Sequence, residues 1–193
     1  MKKKFLFFLC MFFSIVFSYA VEIDHLGTPI FYDNVGNGWG QTFVAQDTVF
    51  SGVKVYIRDP TRPDMVSVNE LVGPASLLLY DASLSTLSLV ASSQIAGSGV
   101  SLQGLCTLMM DAPVATIIGR KYMFAFSTAD LFGIGLRADY STYSQGGEAY
   151  WNGTTLTESA RDLSFAVLSI PEPSMIFLSI IGLFFMICRV VSK

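Results

Sequence analysis

Tyr122-Met123-Phe124-Ala125-Phe126-Ser127 decides the fold class. Large rings fall on every second residue, and that two-residue period belongs to a β-strand, whose successive side chains leave opposite faces. The same spacing recurs in Val53, Val55 and Ile57, which alternate with Lys54, Tyr56 and Arg58, and in Leu163, Phe165 and Val167, which alternate with Ser164, Ala166 and Leu168. Further strands are expected near Phe31–Tyr32, Gln41–Ala45, Ser76–Tyr80, Ser88–Ser92, Leu105–Met109, Ile134–Ala138 and Ala149–Trp151. Turn-forming runs separate them: Asp33 to Gly38, Arg58 to Asp64, Ala96 to Gly99, Gln145-Gly146-Gly147 and Asn152-Gly153. No sustained helical period appears, apart from one expected turn near Ser67–Leu71. The pattern predicts an all-β body, an antiparallel β-sandwich of about eight to ten strands. Strand number, length and the lack of an inter-sheet cysteine pair favour a jelly roll over an immunoglobulin-like sandwich. No internal repeat is visible, which argues against a propeller or solenoid.

Outward from this body the composition changes. The chain of 193 residues is 52% hydrophobic and 14% charged, and two apolar blocks at its ends, Phe5 to Phe17 and Met175 to Cys188, carry much of the excess. Between Val21 and Ile170 stand seven Lys/Arg against 14 Asp/Glu, a formal charge of −7. That balance excludes a nucleic-acid binder, which needs a basic patch. Of the three cysteines, Cys10 and Cys188 lie in the end blocks and only Cys106 in the middle, so no disulfide framework exists. The wealth of aromatic and β-branched residues excludes disorder.

The N-terminal block has the three parts of a secretory signal peptide. Lys2-Lys3-Lys4 are positive, Phe5 to Phe17 are apolar, and Ser18-Tyr19-Ala20 put small residues at the first and third places. The expected signal helix occupies residues 1–20, with the cut after Ala20, and the body runs from 21 to 169. At the other end, Pro171-Glu172-Pro173-Ser174 precede an apolar run read as one transmembrane helix over 174–191. That run has no polar stripe to face water, unlike a buried amphipathic helix. Arg189 and Lys193 follow it, so the tail is expected on the cytoplasmic side and the body outside. Each proline fixes φ, removes a donor and holds its predecessor extended. Glu172 enters hydrocarbon only at high cost. Together they give a stiff, extended, charged segment at the membrane boundary, a shape a membrane peptidase can read.

Pro171-Glu172-Pro173-Ser174, the apolar span and Arg189 near the terminus resemble the PEP-CTERM sorting signal. The chain departs from the usual tail in having Val190-Val191-Ser192-Lys193 after Arg189 rather than consecutive arginines, and in a span rich in Phe and Ile. The resemblance implies a bacterial exported protein, first anchored in the inner membrane. It implies processing at or near Pro171–Ser174 by an exosortase, a membrane cysteine peptidase. The final location would be the cell envelope, surface or matrix, with exopolysaccharide as an associate. Three stretches of the body resemble secreted jelly-roll domains found with this signal: Gln41-Thr42-Phe43, Tyr143 to Gly153, and Asp162-Leu163-Ser164-Phe165. That likeness implies a fold and no activity.

Candidate chemistry in the body is sparse. His25 is the single histidine, expected in a flexible, solvated N-terminal arm. Cys106 is expected to be a buried structural thiol. The carboxylates are scattered, and most stand in or beside turns, where Asp accepts local backbone donors. No pair has the defensible spacing a glycoside hydrolase needs, so that reading ranks last and the protein is expected not to be an enzyme. A structural calcium ion would draw on Asp33, Asn34 and Asp162 if the first and last strands are neighbours. Trp39, Tyr143, Tyr150 and Trp151 offer flat faces for sugar rings, with Glu148 and Asn152 nearby for hydroxyls. This is the alternative, carbohydrate-binding reading, against which such rings cap a sandwich core. Gly36, Gly38 and Gly40 lack the strand–loop–helix context of a nucleotide loop. Asn152-Gly153-Thr154 reads as a hairpin turn rather than a glycosylation site.

Overall fold

The computed structural model describes residues 20–26, 29, 31–58, 69–84, 86–136, 146–159 and 161–169. The segments 1–19 and 170–193, with the signal and transmembrane helices expected there, lie outside the described residues. So do Tyr143, Pro171, Glu172, Pro173, Ser174 and Arg189. Among the described residues every regular element is a strand, and no helix is long and apolar enough to cross a membrane.

Fourteen strands follow one another: β1 (Ala20–His25), β2 (Phe31–Val35), β3 (Trp39–Val44), β4 (Val49–Ile57), β5 (Leu71–Val72), β6 (Ala75–Asp81), β7 (Ser88–Ala96), β8 (Ser101–Leu102), β9 (Gly104–Ala115), β10 (Lys121–Thr128), β11 (Phe132–Leu136), β12 (Glu148–Trp151), β13 (Leu156–Glu158) and β14 (Phe165–Ser169). The first sheet has the order β1-β14-β4-β11-β2, with β9 also paired to β4. Both β14 and β9 pair with residues 52–55 of β4, so they flank it on opposite sides and β9 is an edge. The second sheet runs β13-β12-β3-β10-β6-β7, and β5 and β8 form a two-stranded ribbon. The pairs among β2 to β14 are all antiparallel, as for β10 with β3 and β6.

The alternating rings explain how the sheets meet. Phe43, Phe124 and Phe126 of the second sheet face Phe50, Phe165 and Phe132 of the first, with ring centroids 5.8, 5.6 and 5.2 Å apart. All six rings are fully buried, and each contributes roughly 1.5–3 kcal/mol by leaving water. Val53, Val55 and Ile57 join the same core, while Lys54 and Tyr56 between them stay half-buried.

β10 is buried on both faces, because Met123 and Ala125 pack under Tyr80, Leu87, Trp151 and Leu156 on the outer side of the sheet. Several expectations change. The segment 20–25 forms β1 rather than a free arm, since it completes the first sheet beside β14. Leu71 belongs to β5, not to a helical turn, and residues 67–68 of that expected turn lie outside the described residues. β11 is Phe132–Leu136, so the strand expected over Ile134–Ala138 begins two residues earlier, and residues 137–138 lie outside the described residues. Leu163 makes only an isolated bridge, to Leu136, and β14 proper starts at Phe165. The excess over ten strands comes from β1 and from the very short β5, β8 and β13.

Candidate functional site

The most polar part of the interior grows from one glutamine. On β3, Trp39 and Phe43 pack into the core, and the two-residue period aims Gln41 the same way. A buried amide must find partners or lose stability. Gln41 donates from Nε2 to Asp162 Oδ1 at 3.1 Å and to the Thr42 carbonyl at 3.3 Å. Its Oε1 accepts from the Leu163 N–H at 3.0 Å. Asp162 is itself buried, with its Oδ2 3.8 Å from His25 Nε2. His25 is therefore no solvated residue: it is buried, 5.5 Å from the Phe165 ring.

Across the register, Gln41 lies opposite Glu148 of β12. Glu148 is only 1% exposed. Its Oε2 accepts from Ser159 Oγ at 3.0 Å and from Arg161 Nε at 3.0 Å, with Arg161 Nη2 at 2.9 Å. Arg161 Nη1 donates to Asp33 Oδ2 on β2, so one guanidinium ties β12 of the second sheet to β2 of the first. Burial pushes the Glu148 carboxyl up; Arg161 and Ser159 oppose this, Asp33 adds to it, and the net direction is up. Burial alone would lower Arg161, but Glu148 and Asp33 outweigh it and raise its affinity for its proton. The second oxygen of Glu148, Oε1, is buried without a hydrogen-bond partner.

The third strand of this seam is backbone. Thr42 Oγ1 donates to the Gly147 carbonyl at 3.3 Å and accepts from the Gly147 N–H at 3.0 Å. A Cβ at Gly146 would collide with the Thr42 carbonyl oxygen, and one at Gly147 with that of Ser159. Both positions need glycine for close approach rather than for unusual φ. The three stretches singled out in the sequence therefore meet here: Gln41-Thr42, Gly146 to Glu148, and Asp162-Leu163.

The structure sorts the other candidates. Asp33 and Asp162 take different partners: Arg161 holds Asp33 and Gln41 holds Asp162. Asn34 accepts instead from the Asn69 N–H at 3.4 Å. Although β1 and β14 are neighbours, β2 stands at the far end of that sheet. Among the described residues no three His, Cys, Asp or Glu are grouped so as to hold a metal ion. Trp39 and Tyr150 are register partners with rings 5.2 Å apart, at the end of the main core. Trp151 packs in the separate outer cluster with Met123 and Ala149. Consecutive strand residues face opposite ways, so Tyr150 and Trp151 do not form one platform. Asn152 makes a turn, its Oδ1 accepting from the N–H groups of Thr154 at 2.9 Å and Thr155 at 2.8 Å.

Cys106 is half-buried rather than buried, and burial pushes its thiol up. It lines a cavity of about 360 Å³ with Gln94, Ile95, Leu102 and Met109, at the opposite edge from the seam. Sequence reasoning missed Arg161 and Ser159. The signal for Arg161 was its position beside Asp162 in an acidic body with few cations.

No family model matches the chain, and no curated protein matches it as a relative.

Proposed function

We propose that the chain is an exported, non-enzymatic protein: a jelly-roll body over 21–169 between a cleaved signal peptide and a C-terminal sorting segment over 170–193. The single observation carrying this reading is that Val21–Ser169 form one compact unit, with a core that runs from Ile23 in β1 to Val167 in β14. The buried carboxylates of the seam are matched to Arg161 and Gln41 and sealed from water, which favours a lock on the fold over a hydrolytic pair. A carbohydrate-binding face is the weaker reading, because Trp39 with Tyr150 and Trp151 lie on different sides of the sheet.

In this reading an exosortase removes the anchor near Pro171–Ser174, and the released body joins the cell surface or an exopolysaccharide matrix. Intact-mass measurement of the protein from cells with and without the peptidase tests it. A start at Val21, and an end within 171–174 only when the peptidase is present, is the expected result. Retention of Met1 would overturn export, and retention of the C-terminal block in both strains would overturn sorting.

A further inference from the structure

We propose that the end of the body built from residues 45–48, 82–84 and 116–120 is a lipid-contacting surface. The proposal rests on the membrane-anchored form of the reading above. These loops are stitched into one unit. The Ala45 N–H donates to the Arg120 carbonyl at 3.0 Å, Gly119 N–H to the Ala45 carbonyl at 2.8 Å, and Ala82 N–H to the Lys121 carbonyl at 3.0 Å. From this unit three aliphatic side chains stand out in solvent: Leu84 is 70% exposed, Ile118 61% and Ile117 56%. Rigid loop tips carrying bare aliphatics are costly in water unless something apolar receives them.

Exposure alone does not choose the occupant, since Leu131, at the opposite end of β10, is 57% exposed. The exit of the chain does. Leu168 pairs with Gly52, so β14 finishes beside the start of β4, and β4 follows directly on the loop 45–48. Ser169 therefore leaves the body at the end that carries Leu84, Ile117 and Ile118. Only residues 170–173 separate it from the apolar run, a tether of at most about 14 Å. A span anchored in a bilayer would present this end to the lipid, at a distance comparable with the depth of interfacial insertion.

The cations here are already engaged. Arg120 Nη2 lies 2.6 Å from Asp81 Oδ2, and Lys121 Nζ 2.6 Å from Glu158 Oε1. The contact is therefore apolar in character and independent of anionic lipid.

The test uses the full chain, expressed without the peptidase and reconstituted in zwitterionic phosphatidylcholine vesicles. In a Cys10→Ser, Cys106→Ser, Cys188→Ser background, single reporters Leu84→Cys, Ile118→Cys, Leu131→Cys and Ile181→Cys carry an environment-sensitive dye, and nitroxide-labelled lipids quench it. The expected result is strong quenching at 181 and quenching at 84 and 118 several-fold above that at 131, unchanged by high salt. Quenching at 181 with 84 and 118 no different from 131 would overturn the lipid contact and leave the anchor standing. No quenching at 181 would overturn the anchored reading and this proposal with it.

Discussion

The two long sides of the sandwich are closed in opposite ways. On the side of β3, β12 and the approach to β14, the sheets are joined by buried and half-buried polar groups: Gln41 to Asp162, and Arg161 to both Glu148 and Asp33. On the side of β7 and β9, one buried hydroxyl bridges the strands, Ser93 Oγ accepting from the Asp111 N–H at 2.8 Å. There Leu89, Val90 and Leu105 face solvent, and β9 pulls away from β4 between Met109 and Val114, around Pro113, which has no N–H to pair. The contrast teaches where specificity resides. Apolar contacts tolerate sliding, whereas a buried ion pair or amide accepts one register only, because any other leaves a charge or donor unpaired.

Breaking the polar side is expected to cost most at Arg161. Arg161→Met leaves Glu148 buried without its cation and is expected to lower stability by about 3 kcal/mol at neutral pH, read from urea unfolding. The pH dependence gives a second readout. In the native protein the Glu148 carboxyl is held above its ordinary value of 4.5, so the folded state keeps its proton where the unfolded state has lost it. Its contribution is full below that ordinary value and is lost as pH rises through the folded one. Without Arg161 the folded pKa rises further, and the penalty of the substitution must shrink when the measurement is repeated in acid. An equal penalty at both pH values would show that Arg161 acts through packing alone. Next in size is Gln41→Leu, which strips Asp162 and the Leu163 N–H of a partner and is expected to cost about 2 kcal/mol, again by urea unfolding. Smallest is Leu89→Ser on the open side, expected to change stability by no more than about 0.5 kcal/mol. A loss there as large as at Gln41 would erase the distinction between the two sides.

How far residues alone reveal such a molecule depends on the distance over which the information acts. Val53, Val55 and Ile57 declare a strand because the period is local, and the Asn152-Gly153 turn is declared by the two residues that make it. Gln41 and Asp162 are 121 positions apart, and nothing in the neighbourhood of either announces the other. His25 was misread for the same reason: its burial depends on β14, which lies at the far end of the body. Met123 and Ala125 are buried in the outer cluster, and their apolarity fits a central strand covered on both sides. The two-residue strands β5 and β8 are below the length at which a period exists at all.

The position of β14 sets a rule for when the body takes shape. It sits between β1 and β4, yet it is made last as the polypeptide is delivered from its N-terminus. The first sheet keeps a gap in its middle until Phe165 to Ser169 arrive, and β1 has no neighbour to dock on before then. The architecture thus postpones the completion of its first sheet until its last strand has been made.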